Sequence, residues 1–141
     1  MTVVTSFERS RELYVLGETI RPIMTNDLGS TVEVCDMRGP ADAGPPPHRH
    51  PWEEVYVVLE GALEINVDGT TQVVEAGGAA HVPANTVHSL RNLTETHFLT
   101  ITTRGSASRF FTQASEEVDM YPPDFAGVIR VAAENDIQIL V

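Results

Sequence analysis

The chain has no lysine. All nine basic residues are arginine, so a lysine Schiff base and a P-loop lysine are both excluded. Positive charge is scarce as well: nine Arg stand against 20 Asp and Glu, a formal charge of −11 at pH 7. Phosphate neutralisation needs clustered basic side chains, so neither nucleic acid nor an anionic membrane is expected as a partner. Cysteine occurs once, at Cys35; a lone thiol closes no intrachain disulfide and implies no oxidising compartment. It sits among alternating β-branched residues, where packing is its expected role. No apolar run approaches the roughly 20 residues of a membrane span. Met1 to Leu16 intersperses Glu8, Arg9, Arg11 and Glu12 with apolar residues and shows no signal-peptide core. The expectation is a cytoplasmic protein whose partner is a small molecule.

What the chain does have is short alternating runs separated by turns. Its 141 residues suit one domain with its own core. We divide it into an N-terminal arm over 1–30, a β-structured core over 31–103 and a helical C-terminal extension over 104–141. In the arm, Val15-Leu16 and Ile20 to Met24 read as one or two edge strands in otherwise irregular chain, broken by Gly17, Pro22, Asn26-Asp27 and Gly29-Ser30. Thr31 to Met37 reads as a strand. Gly39 to Pro47 holds six Gly or Pro residues and reads as a loop. Further strands are expected at Val55 to Leu59, with a kink at Gly61, and at Leu63 to Val67 and Thr70 to Glu75, joined by the hairpin signal Asp68-Gly69. Ala79 to Val82, Val87 to Arg91 and His97 to Thr103 complete the set. Ser106 to Ser115 reads as a short helix. Phe125, Val128, Ile129 and Ala132 keep the spacing of an amphipathic helix, and Ile137 to Val141 reads as a terminal strand. Many short strands with turns roughly every 8–12 residues predict an all-β sandwich or closed barrel.

Coordinating chemistry gathers in Pro46-Pro47-His48-Arg49-His50-Pro51-Trp52-Glu53-Glu54. In extended chain, His48 and His50 point to one face with Cα atoms roughly 6.6 Å apart, close enough for two neutral imidazoles to share a metal ion. On a straight strand Glu54 would lie roughly 13 Å from His50, too far to join them. Pro51 fixes φ and cannot donate to a sheet ladder, so the chain is expected to turn there, with Glu54 opening the next strand and folding back. Tyr56 shares the face of Glu54 if that strand is regular, either as core or as a hydroxyl that orients a substrate. Glu53 is expected to be a solvated outward neighbour, and His81 and His97 to be packed or surface histidines.

His48-x-His50-x3-Glu54-x6-Gly61 resembles the latter part of the first motif of the cupins. Gly77-x5-Pro83-x-Asn85-x2-His88-x3-Asn92 is similar to their second motif, with fifteen residues between the two. The chain departs from the pattern twice: Asp42 stands where the first motif would open with glycine, with Gly44 close by, and Asn85 replaces the glycine after Pro83. Asparagine is among the few residues that tolerate positive φ. The resemblance implies a jelly-roll β-barrel (a double-stranded β-helix) with a short C-terminal helix, and one divalent transition metal held by His48, His50, Glu54 and His88. Such mixed nitrogen and oxygen ligation suits Fe, Mn, Ni, Cu, Co or Zn. Trp52 is expected to pack at the barrel mouth. Arg109-Phe110-Phe111 and the closing helix and strand look like the ends of quercetin-dioxygenase-type cupins, which are commonly dimers. The apolar arm is therefore expected to cross to a second copy and pair with a sheet edge, making a homodimer.

The function this implies is a metal-dependent dioxygenase acting on a small enol, phenol or diketone, with Glu54 as general base and Tyr56 orienting the substrate. A cyclase, isomerase or decarboxylase that uses the metal without oxygen is the alternative, in which His81 or His97 would move protons if it faced the cavity. A binder of small molecules without turnover is the third reading.

Overall fold

The structure, a computed structural model, describes residues 2–140. Met1 and Val141, the latter assigned above to the terminal strand, lie outside the described residues. The strands are β1 (Leu13–Val15), β2 (Glu18–Met24), β3 (Glu33–Gly39), β4 (His48–Arg49), β5 (Glu54–Glu60), β6 (Ala62–Val67), β7 (Thr70–Glu75), β8 (Ala79–Val82), β9 (His88–Asn92), β10 (Thr96–Thr102) and β11 (Gln138–Ile139). Two helices, α1 (Ala107–Glu117) and α2 (Phe125–Glu134), precede the last strand.

One sheet runs β1-β2-β3-β10-β5-β8 and the other β11-β4-β9-β6-β7. Between β3 and β10 the chain changes sheet at every connection except the β6–β7 hairpin. With all pairings antiparallel, this is the jelly-roll arrangement, a β-barrel made of two facing sheets. Period-2 alternation sets the layers. Along β10, Thr96, Phe98, Thr100 and Thr102 are buried between the sheets while His97, Leu99 and Ile101 face outward. Phe98 joins Val58, Leu63, Ile65 and Val82 in the core. The β6–β7 turn has Val67 opposite Thr70, with Asp68 and Gly69 both at positive φ, as a two-residue hairpin requires. Gly61, expected as a kink, sits at positive φ where the chain leaves β5 for β6 and the other sheet.

The N-terminal arm is more regular than its sequence suggests. Leu13 pairs with Ile20 in the β1–β2 hairpin, and β2 pairs with β3 from Thr19 to Met24, so residues 13–24 extend a sheet of their own chain. Glu18 concealed the start of β2: it is a charged residue in phase with the inward-facing Leu13, Val15 and Ile20. Pro22 is tolerated because β1 pairs with β2 only as far as Ile20, and a register shift follows it. Ahead of β1, Phe7–Arg9 forms one 3₁₀ turn, held by Arg21, which donates to the Phe7 and Ser10 carbonyls at 3.3 and 3.1 Å.

A carboxylate takes up a free backbone N–H at the start of each helix. Glu33, buried at the start of β3, accepts the Ser108 backbone N–H at 3.1 Å at the first turn of α1. Asp124 accepts from the Gly127 N–H at 3.2 Å to cap α2. α1 packs on β1, and α2 on α1 and β11, so the C-terminal segment closes one open side of the barrel.

Candidate metal centre

β4 ends at Arg49, and past Pro51 the chain crosses from one sheet to the other before Glu54 opens β5. That turn brings Glu54 back towards the histidines: its Oε1 lies 3.4 Å from His50 Nε2. His48 and His88 are directly paired across β4 and β9, with ring centroids 4.1 Å apart. His88 Nε2 is 3.1 Å from Glu54 Oε2. One ligand atom from each of His48, His50, Glu54 and His88 falls within 4.8 Å of all the others. The turn at 83–86 is tied to this group, because the Asn85 backbone N–H donates to the His50 carbonyl at 2.8 Å. Asn85 has the positive φ its replacement of glycine calls for, and Asp42, at the other departure, has it too.

Backbone carbonyls fix the tautomer of all three imidazoles. His48 Nδ1 is 2.8 Å from the Pro46 carbonyl, His50 Nδ1 2.9 Å from that of Trp52, and His88 Nδ1 2.8 Å from that of Thr86. A carbonyl only accepts, so each Nδ1 carries the proton and each neutral ring presents a bare Nε2 lone pair to the centre. Burial, with His88 beside it, lowers His48 to about 4, which keeps that ring neutral at physiological pH. His50 Nε2 is buried with no hydrogen-bond partner. Burial alone pushes Glu54 up, but His50 and His88 facing it outweigh this and hold it below the usual carboxylate range. In the tautomers fixed above, neutral rings have no Nε2 proton to give Glu54. Three lone pairs and a carboxylate therefore converge on one point, as the ligands of a cation do. The donor set is compatible with one metal ion of the first transition row.

Tyr56 faces inward two residues beyond Glu54 and donates its hydroxyl to Glu54. Burial, then the negative charge of Glu54, push its ionisation well above the ordinary phenol value, so it remains a donor. Trp52 is buried and stacks on the His50 ring at 4.4 Å and 9°. On its other flank, a Cβ at Gly105 would come within 2.3 Å of the indole, so only glycine allows this approach. A cavity of about 90 Å³ opens beside the centre, lined by His48, His50, Glu54, Tyr56 and Trp52 and walled by Met37, Leu90, Phe98 and Phe110. Three other expected residues are elsewhere. His81 is exposed and 2.8 Å from Glu53, and His97 lies on the outer face of β10, 2.6 Å from Asp36. Neither histidine faces the cavity, so neither can serve as the proton carrier considered above. Glu18 and Thr100, which also line the cavity, were missed; Glu18 could have been found as a charge in the inward phase of Leu13, Val15 and Ile20.

Residues 37–102 match the cupin domain family. That segment is a cupin domain. Quercetin 2,3-dioxygenase of Bacillus subtilis (strain 168) is 28% identical to this cupin over 118 residues, covering 79% of this chain and 35% of that protein. The chain thus spans about a third of the length of this curated relative. Among solved structures, a RmlC-like cupin from Shewanella frigidimarina is similar with a TM-score of 0.68 and 21% identity, covering 77% of this chain and 96% of that one. The polyketide cyclase RemF from Streptomyces resistomycificus gives 0.62 and 21%, covering 73% and 80%. No helix among the described residues is long and apolar enough to cross a membrane.

Proposed function

We propose that this cupin is a metal-dependent dioxygenase acting on a small enol, phenol or diketone, with His48, His50, Glu54 and His88 holding one divalent transition metal ion. The observation that carries this reading is the convergence of three Nε2 lone pairs and one carboxylate on a single point. Such an ion supplies Lewis acidity towards enol and ketone oxygens. Glu54 accepts the proton of the enol or phenol as it binds. Tyr56, which donates its hydroxyl to Glu54, orients that carboxylate and offers the lone pairs of its phenolic oxygen beside the substrate. Trp52 holds the His50 ring by stacking and by accepting its Nδ1–H at the main-chain carbonyl. Met37, Leu90, Phe98 and Phe110 keep water from the deprotonated substrate. The relationship to quercetin 2,3-dioxygenase supports oxygen chemistry in particular.

The alternative, a cyclase, isomerase or decarboxylase, gains no proton carrier from His81 or His97, both of which face outward. To separate the two, the protein is loaded in turn with Fe, Mn, Ni, Cu, Co or Zn and given a panel of enolisable substrates. Dioxygen uptake stoichiometric with substrate loss is expected with at least one metal. Turnover at an undiminished rate under anaerobic conditions overturns the dioxygenase. We also propose a homodimer, supported by the exposed Val3, Val4 and Phe7 ahead of β1; a monomer mass by light scattering at micromolar concentration overturns it.

A further inference from the structure

Five residues other than glycine hold a positive φ among the described residues: Asp42, Asp68, Asn85, Asp136 and Leu16. Asp and Asn tolerate the left-handed region because their short polar side chains bond locally; a bulky leucine has no such means. The chain makes the same turn twice. Asp68-Gly69 joins β6 to β7 with φ of 51° and 87°, and Leu16-Gly17 joins β1 to β2 with φ of 48° and 89°. Both are two-residue hairpin turns, for which Asn or Asp is the ordinary first residue. The Leu16 side chain therefore keeps its place against the preference of its own backbone, and strain of this kind gathers where a side chain serves a site.

That place is the mouth of the metal cavity. Most of the cavity lining is buried; its partly exposed members are Leu16, Pro45, Pro46, Phe111 and Ile139. They come from the β1–β2 turn, the loop before β4, α1 and β11, and all are apolar. This rim adjoins the centre: the Pro46 carbonyl accepts the His48 Nδ1–H, and Ile139 pairs with His48 across β4 and β11. Gly17 seats the hairpin tip on the loop that carries Pro45, since a Cβ there would stand 3.1 Å from that of Ala43. Behind the rim the space is about 90 Å³, less than the roughly 150 Å³ of a cavity that takes up benzene. An aromatic substituent on a metal-bound chelate thus has no room inside and has to lie across the rim, where Leu16 stands. We infer that Leu16 is a specificity-determining residue, whose side chain closes the mouth against bulky substituents and narrows the substrate to compact enols and diketones without an aromatic ring. This rests on the metal reading given under Proposed function.

Acetohydroxamate and benzohydroxamate test this, since they share one pair of chelating oxygens and differ by methyl against phenyl. Each is titrated into cobalt-loaded protein and followed by the visible absorption of the ion. Burial of apolar surface by itself favours the phenyl compound, so a preference for the methyl compound has to come from exclusion. The wild type is expected to bind acetohydroxamate about tenfold more tightly, as suits the overpacking a ring would cause. Leu16→Asn supplies the residue this turn prefers and so keeps the hairpin. It should tighten benzohydroxamate binding by about tenfold and remove the preference. Leu16→Met keeps an apolar side chain of similar volume and should retain it. A wild type that binds both compounds equally or prefers benzohydroxamate overturns the inference, as does a preference that survives Leu16→Asn. Loss of affinity for both compounds alike in Leu16→Asn also overturns it, because a merely structural Leu16 would act on both. In each of these cases the cobalt absorption still reports a ligand at the centre, and the metal reading stands. If neither compound alters that absorption, the metal reading itself fails, and the role of Leu16 falls with it.

Discussion

Glu54 and Glu18 are both buried on the inner face of the same sheet, 6% and 4% exposed, yet their surroundings push them in opposite directions. Glu54 meets two imidazole Nε2 atoms and a phenol and is held below the ordinary carboxylate range. Glu18 meets one amide N–H and is raised from 4.5 to about 7. Burial acts identically on both, since removing a carboxylate from water always favours its neutral form. What differs is the company: two imidazoles and a phenol at one end of the cavity and a single amide donor at the other. Equal exposure therefore says nothing about charge state until the partners are counted.

The most damaging test of this contrast removes the company of Glu54. His50→Ala should weaken metal binding by more than about 100-fold, beyond the loss typical of an outer hydrogen-bond partner, and elemental analysis should find the centre empty. Glu54→Gln keeps three imidazoles, so partial metal occupancy is expected while turnover falls by at least about 100-fold for want of the base. Wild-type activity in both variants would contradict the assigned roles.

The contrast is sharpened by stability. A carboxyl raised by folding binds a proton more tightly in the native state, so its contribution is fully present below about pH 4.5 and is lost as pH rises through about 7. Glu18→Gln removes that dependence. The variant should match wild type near pH 4.5 and exceed it by about 3.5 kcal/mol at pH 8, given about 1.4 kcal/mol per pKa unit. Urea unfolding of both proteins across this range would show it, and parallel stability profiles would sink the assignment. The smallest effect is expected at Gly105. A methyl group there displaces Trp52, whose carbonyl fixes the His50 tautomer. Gly105→Ala should therefore cost about tenfold in metal affinity, measurable by competition with a chelator, without loss of fold.

The two carboxylates also differ in how far the sequence discloses them. His48, His50, Glu54 and His88 sit in two spaced motifs, and Pro51 announces the turn that folds Glu54 back, so that group could be read before any coordinates existed. Strand alternation likewise gave most of the barrel, and the Asp68-Gly69 hairpin and the helix at Phe125 to Glu134 fall where the residue pattern puts them. Glu18 belongs to no motif. Its partner Asn92 is 74 residues away, and only pairing in the folded sheets makes them neighbours. The two strands expected in the arm are present, but their extent was hidden for a related reason: the short β1–β2 hairpin draws on pairing with β3, a contact that local periodicity does not contain. His81 and His97 show the converse, since chemically versatile side chains acquire no role when the pleat turns them outward.

The single hydrogen bond from the Asn85 N–H to the His50 carbonyl fastens the loop before His88 directly to the loop after His48. The β6–β7 hairpin, which lies between these loops in sequence, braces the one before His88: Asp68 at its tip donates its N–H to the Val87 carbonyl at 2.9 Å, and Val67 pairs with His88. A peptide tag or a reporter domain grafted at that tip should therefore shift His88, while the bond from Asn85 still holds the loop beside His50.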